Sequence, residues 1–352
     1  MKTLQIDKFN FFTDHQGFLH LNTFLKNNYN KKIFILVDSN TSIFCLDQFS
    51  LLFNIENKII LTIPAGESSK SVDCLCFLID KLTHYNADSD SILINLGGGV
   101  ISDLGGFLAS IFNRGISYIN IPTTLLAQVD ASIGGKTGIN FNGIKNKIGV
   151  INNPMFTIIL TDFLKTLPEK EVISGYGEIF KYGLIYDPFI WSNISSNKQL
   201  SLDNIDKLIY QAVKIKTSII QKDFKEKGLR NILNFGHTIG HAIESCYKDS
   251  LQISHGLSVV MGMICELYIS HILLDFSKQD LNDVTKLLID RFPLKKVDDV
   301  KNIINFIKQD KKNKNGKFLF SLIPEIGLCY FDQDVNEGLI YDSLIFYNNL
   351  HD

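Results

Sequence analysis

The run NLGGGVISDLGGFLASIFNRGISYINIPTTLLAQVDASIGGKTGINFNGIKNKIGV, Asn95 to Val150, decides how this chain is read. It continues SILINL (Ser91 to Leu96), a short apolar segment of the kind given by a strand buried on both faces. Gly97, Gly98 and Gly99 end that segment, and the apolar helical pattern VISDLGGFLASIF starts at once, with Asp103 expected in its first turn. Three glycines between strand and helix let a ligand approach the backbone closely. The helix N-terminus adds unpaired N–H groups and a positive dipole end, which suits a pyrophosphate. The spacing is not GxGxxG, and a glycine triplet alone is equally compatible with an ordinary tight turn. Downstream, IPTTLLAQVDASIGGKTGIN and NGIKNKIG set Lys136, Lys145 and Lys147 among glycines and hydroxyls, where a phosphate-binding loop is expected.

Outward from this run, KKIFILVD, SLLFNIENKIILTIP, SILINL and YINIP alternate with helical patterns such as SVDCLCFLIDKLTHYN. That alternation predicts parallel strands with crossover helices. After about Pro168 helical runs dominate, broken by one expected hairpin, KFLFSLIPEIGLCYF. The expected fold class is therefore α/β, with a Rossmann-like nucleotide-binding domain over residues 1–160. A mainly helical domain carrying metal and substrate residues is expected over residues 161–352.

The 352 residues carry a formal net charge of -2, so no global basic field points to nucleic acid and the lysines have to matter locally. Six cysteines without a CxxC pair, mostly in apolar runs, read as buried free thiols of a reducing compartment. The start, MKTLQIDKFNFFTDHQ, has no long apolar segment, and no window is expected to reach the ~20 apolar residues that span a bilayer. A cytoplasmic protein with no membrane partner is the expectation.

His237 and His241 stand four apart in NFGHTIGHAIE, which puts two imidazoles on one helical face, and His255 follows in a Ser-His-Gly turn. A lone histidine is usually structural, but this pattern resembles a catalytic metal site with three protein ligands and an open position. Spacing alone suggests all three histidines. Arg230 and Asn234, spaced i and i+4, would present a guanidinium and an amide to a carboxylate from one helical face. Asp38 and Asn40 follow an early strand, where an acid commonly holds adenine-ribose hydroxyls and favours NAD over NADP.

The motifs GGGVISD, RGI, IPTTLLAQVDASIGGKTG, KNKIG, FLKTLP, SGYGEIFKYGLI, GLRNILNFGHTIGHAIE, HGLSVVMGM and DKKNKNGK, in this order along nearly the whole chain, resemble the 3-dehydroquinate synthase family of the shikimate pathway. The resemblance implies conversion of 3-deoxy-D-arabino-heptulosonate 7-phosphate, a sugar-acid phosphate, to 3-dehydroquinate and phosphate. It further implies NAD and one divalent metal, zinc or else cobalt, as cofactors. Glu178, His237 and His255 would be the metal ligands, with His241 facing the substrate. Asp130, Lys181, Lys216, Glu226, Arg230 and Asn234 would surround the carbocycle. Lys136, Asn146, His241 and Lys312, chosen over Lys311, would lie near the phosphate. Arg114 would reach the neighbouring subunit's phosphate site in a homodimer. Asp38, Asn40, Glu67, Lys70, Gly98, Gly99, Val100, Asp103, Thr123, Thr124, Lys136, Lys145, Phe163, Leu164, Lys165 and Thr166 would hold NAD. The chain departs from the family at His255-Gly256-Leu257, where His-Gly-Glu is usual, and at Asp223-Phe224, where Asp-Glu is usual. Related sugar-phosphate cyclases, metal-dependent polyol dehydrogenases and an inactive NAD- or zinc-binding protein are the rival readings.

Overall fold

Apolar runs too short for helices become the strands of one sheet in the computed structural model, which describes residues 4–6, 9–55, 58–142, 144–197, 199–247, 253–309 and 317–351. The chain divides into two units, Met1–Pro168 and Glu169–Asp352. The first runs β1 (Leu4–Ile6), β2 (Phe9–Thr13), α1 (Asp14–Asn27), β3 (Ile33–Asp38), α2 (Ser39–Phe44), α3 (Leu46–Leu52), β4 (Lys58–Ile63), α4 (Val72–His84), β5 (Ile92–Gly97), α5 (Gly99–Ile111), β6 (Ser117–Pro122), β7 (Lys136–Phe141), β8 (Ile144–Ile151) and β9 (Thr157–Ile159).

Seven of these strands form a sheet in the order β1-β2-β9-β6-β5-β3-β4, parallel except for the edge pair β1 and β2. Strand side chains alternate between faces, so β3 sends Ile35 and Val37 into one core and Phe34 and Leu36 into another. β5 is buried along its whole length, as a strand covered on both faces must be. From β3 the chain crosses to edge strand β4 and then returns to β5 on the other side of β3. The carboxyl ends of β3 and β5, at Asp38 and Gly97, thus flank a topological switch point, where open α/β sheets bind ligands.

Two readings of this unit change. Asp103 stands one turn inside α5, not in its first turn. The expected phosphate loop is a β7–β8 hairpin, with Lys136 opening β7 and Lys145 and Lys147 on β8.

The second unit runs α6 (Glu169–Ile185), α7 (Pro188–Ser196), α8 (Ile205–Lys222), α9 (His237–Cys246), α10 (His255–Leu274), α11 (Lys278–Arg291), α12 (Val300–Lys308), the antiparallel hairpin β10 (Phe318–Glu325) and β11 (Leu328–Val335), and α13 (Glu337–Asn349). His255 opens α10; it does not sit in a separate turn. α10 also overturns the expectation that no segment reaches membrane-spanning length: an 18-residue stretch of this 20-residue helix has a mean hydropathy of 1.9, and 67% of that stretch is buried. It packs against α6, α9, α11 and α13, so the apolar run is the spine of this unit's core. All six cysteines are free, but Cys76 is exposed and Cys74, Cys246 and Cys329 are only half-buried, so burial holds fully for Cys45 and Cys265 alone.

Glycines set how close α6, α9 and α10 come. A Cβ on Gly256 would lie 1.8 Å from the Ser174 carbonyl oxygen, and one on Gly262 would lie 2.0 Å from that of Gly236. Backbone cannot yield as a side chain can. Gly262→Ala is therefore expected to lower stability by about 1–3 kcal/mol or more, read as a fall in the urea midpoint without a change in slope.

Candidate active site

Three helices deliver ionisable groups to one point in the second unit. α6 carries Glu178 and Lys181, both buried, with Lys181 Nζ in ion-pair contact with Glu178 Oε2. α9 begins with His237, whose Nε2 lies 3.3 Å from Glu178 Oε1. α10 begins with His255, whose Nε2 lies 3.7 Å from the same oxygen. The ligand atoms of His237, His241 and His255 fall within 4.8 Å of one another. His237 and His241 are on one face of α9, as their spacing predicts, with ring centroids 5.1 Å apart.

The far nitrogen of each backed imidazole fixes its direction. His237 Nδ1 is 3.1 Å from the Phe235 carbonyl oxygen, so its N–H donates there and the Nε2 lone pair faces Glu178. His255 Nδ1 is 3.4 Å from Glu244 Oε2. The motif NFGHTIGHAIE ends on Glu244 without suggesting a role for it, although its place seven residues after His237 puts it on the same face of α9.

Burial alone would raise the Glu178 carboxyl, but Lys181 and then His237 hold it well below the usual carboxylate range. Burial and then Lys181 push the His237 imidazole down to about 4, against the pull of Glu178. At His255 burial also lowers, but Glu178 and Glu244 together raise it to about 9. A buried carboxylate whose oxygens lack a hydrogen bond of good geometry, beside two oriented imidazole nitrogens, is a donor set suited to a divalent cation.

The segment before α9 corrects one expectation. Leu229–Asn234 is a 3-10 turn, so Arg230 and Asn234 do not share a face as i and i+4 do on an α-helix. Arg230 is buried, and its Nη1 donates to the Phe224 carbonyl oxygen at 2.9 Å. Position 224 thus acts on Arg230 through its backbone. The Asp223 carboxylate accepts from the N–H groups of Lys227, Gly228 and Arg230 at 2.9, 2.8 and 3.0 Å and closes the loop that contains Glu226. Lys216 is buried on α8.

In the first unit, Lys70 Nζ donates to Asp103 Oδ2 at 2.7 Å and to Asn146 Oδ1 at 2.6 Å, and lies 3.7 Å from Glu67 Oε1. Burial would lower this ammonium, but Asp103 and Glu67 outweigh it and raise it. Asn140, which the sequence reading also missed, donates to Glu67 at 2.8 Å and accepts from the Asn146 N–H at 2.8 Å. Asn146 adopts a left-handed backbone, φ 48–49° being shared by Asn142 and Asn146 in the hairpin. Four sequence-picked residues, Glu67, Lys70, Asp103 and Asn146, therefore meet in one network. Asp38 Oδ1 caps α2, accepting from the N–H groups of Asn40 and Thr41. Gly98 stands at the N-cap position of α5 but supplies no capping side chain, and Val100 lies in that helix's first turn.

Thr123 is buried with its N–H on the Gly97 carbonyl, and Thr124 Oγ1 accepts from the Ala127 N–H. The π-helical turn Ala127–Ala131 contains Asp130. Phe163 and Leu164 are buried in the core, while Lys165 pairs with Asp162 at 2.6 Å on the surface. A ligand would meet the first two through backbone. Arg114 has φ 65° at the end of the turn Phe112–Arg114. Lys312 and Lys311 lie outside the described residues.

Sequence profiles of the 3-dehydroquinate synthase N-terminal and C-terminal regions match residues 60–174 and 175–313. The 3-dehydroquinate synthase of Parabacteroides distasonis is 40% identical over 324 residues, 90% of this chain and 91% of that protein. The chain belongs to the 3-dehydroquinate synthase family. Solved structures with the same fold include 2-epi-5-epi-valiolone synthase from Streptomyces hygroscopicus subsp. jinggangensis with NAD+ and Zn2+ bound, at TM-score 0.87 and 24% identity, covering 100% of this chain and 99% of that one. A 2-deoxy-scyllo-inosose synthase complexed with carbaglucose-6-phosphate, NAD+ and Co2+ follows at TM-score 0.85 and 24% identity, covering 97% and 99%. Both departures from the 3-dehydroquinate synthase pattern have a place in this geometry: Phe224 offers its carbonyl to Arg230, and Leu257 is half-buried in the first turn of α10.

Burial would raise the Asp223 carboxyl, but the backbone bonds from Lys227, Arg230 and Gly228 together outweigh it and lower it. A carboxyl depressed in the folded state adds stability above its unfolded pKa and loses it as pH falls. Asp223→Asn is expected to cost about 1–3 kcal/mol at neutral pH, with the gap to wild type narrowing through the acid range in urea melts.

Proposed function

We propose that this chain is a 3-dehydroquinate synthase, converting 3-deoxy-D-arabino-heptulosonate 7-phosphate to 3-dehydroquinate and phosphate by oxidation, phosphate elimination, re-reduction and aldol closure. The observation that carries the reading is Glu178, buried with the Nε2 atoms of His237 and His255 at 3.3 and 3.7 Å and Lys181 beside it, in a chain of this family. Glu178, His237 and His255 are the ligands we assign to one zinc or cobalt ion, with His241 left for substrate. When bound, NAD would accept and return a hydride and the metal would act as a Lewis acid on a substrate hydroxyl.

The chain's own part is to bind, orient and neutralise. The uncapped N-terminus of α5 at Gly98 and Gly99 suits the pyrophosphate, and Asp38 at the carboxyl end of β3 suits a ribose bearing free hydroxyls, hence NAD over NADP. Asn40, Glu67, Lys70, Val100, Asp103, Thr123, Thr124, Lys145 and the Phe163–Thr166 backbone complete the assigned cofactor site. Lys136, Asn146 and Lys312 would receive the phosphate. Asp130, Lys181, Lys216, Glu226 and Asn234 would hold the ring, and Arg230 its carboxylate. The half-exposed apolar side chains of β8, Ile144, Ile148, Val150 and Ile151, suit burial against a second copy in a homodimer, with Arg114 reaching across. Six free cysteines fit a cytoplasmic setting.

The structural neighbours favour one second reading, a cyclase acting on a sugar phosphate without a carboxylate. Arg230 separates the two. Wild type is expected to release phosphate from the heptulosonate phosphate, to stop when stripped of metal, and to recover with zinc or cobalt. His237→Ala should bind no metal and turn over nothing; full turnover by the metal-free variant overturns the assignment. Arg230→Ala should cost about 10- to 100-fold in kcat/KM. A wild type preferring sedoheptulose 7-phosphate would favour the second reading.

A further inference from the structure

α10 carries a second fully buried acid, Glu266, that the assigned chemistry leaves unused. Its Oε2 accepts from the Gly236 N–H at 2.6 Å, and its Oε1 lies 3.4 Å from the Ile239 N–H. Both donors belong to the N-terminal turn of α9, where helix N–H groups have no partner inside the helix. Gly236 occupies the N-cap position at φ 78° and has no side chain with which to cap it. Nor could it carry one, since a Cβ there would lie 2.5 Å from Met263 Cγ and 2.7 Å from the Val259 carbonyl oxygen. The cap comes from another helix.

The Gly236 N–H and the Phe235 carbonyl are the two ends of one peptide group. The N–H end is held by Glu266, and the carbonyl end accepts from His237 Nδ1 at 3.1 Å. We propose that Glu266 is a positioning residue that acts on His237 through this peptide. Its charge fixes the peptide plane and polarises the carbonyl. The carbonyl in turn holds the Nδ1–H tautomer and aims Nε2 at the point shared with Glu178 and His255. A ligating histidine is ordinarily backed by a carboxylate or a carbonyl at its far nitrogen. Here His255 has the carboxylate of Glu244 directly, and His237 has the carboxylate of Glu266 one peptide removed.

The inference rests on the metal-site reading above, so its test reads metal binding in the full-length protein. Glu266→Gln keeps the shape and one acceptor but removes the charge; Glu266→Ala removes both. Zinc affinity, measured by competition with a chromogenic chelator, should fall about 10- to 100-fold in Glu266→Ala and by an intermediate amount in Glu266→Gln. The visible absorption bands of the cobalt-loaded protein should shift in both variants, while NAD affinity stays at the wild-type value. Leu288→Ala, a buried change on α11, supplies a destabilised control whose zinc affinity should not move. If Glu266→Ala does not fold, the near-isosteric Glu266→Gln carries the test. Wild-type zinc affinity and an unshifted cobalt spectrum in a folded Glu266 variant would overturn the proposal. So would an equal loss of zinc affinity in Leu288→Ala, because the effect would then be general destabilisation. A wild-type protein that binds no metal would instead sink the metal-site reading itself.

Discussion

A carboxylate with no exposure to solvent, Glu178, constrains the rest of the second unit. Taking such a group out of water costs several kcal/mol even after relaxation, and only close opposite charge and oriented dipoles offset it. Lys181 does so from the same helix, one turn on, and His237 and His255 do so from two others. Three helices therefore have to come closer than ordinary side chains permit. Gly177 and Gly256 between α6 and α10, and Gly236, Gly240 and Gly262 between α9 and α10, provide that approach. The glycines and the buried charge are two sides of one requirement.

The first unit solves a similar problem around a cation. Lys70 is nearly inaccessible, and Asp103 from α5, Asn146 from the hairpin and Glu67 from the preceding turn converge on it. Asn140 links the same acid to the backbone of Asn146. The hairpin tip is thereby tied to the helix whose N-terminus opens at Gly98. Residues assigned to different ligands share one hydrogen-bonded frame, so a change at Lys70 is a change at each of them.

The parts legible in the sequence are those where one periodicity dominates. SILINL becomes a strand buried throughout, and His237 and His241 share a face because α9 is regular across them. Reading failed where the period changed or the partner came from far away. α-Helical spacing would align Arg230 and Asn234, but the 3-10 turn rotates the two apart. The glycine- and lysine-rich stretch looked like a loop because its alternation is masked by glycines, yet it pairs as β7 and β8. Glu266 was invisible. Nothing within its own helix says that it faces α9, and only the fold joins it to a peptide thirty positions earlier in the chain.

α10 brings these points together. By hydropathy it would pass for a membrane span, yet it opens with His255 and carries Glu266 eleven residues on, both turned to work inside the unit. An apolar helix is a suitable carrier for such groups. Its other side chains are fixed by packing against α6, α9 and α13, so the few polar ones inherit a position that a solvated loop could not hold. The same apolar surroundings keep water from competing for the carboxylates, which strengthens each contact and raises the penalty for leaving one unpaired. Hydrophobic packing and polar placement are thus not separate tasks in this unit: the apolar core of α10 is what gives His255 and Glu266 their directions.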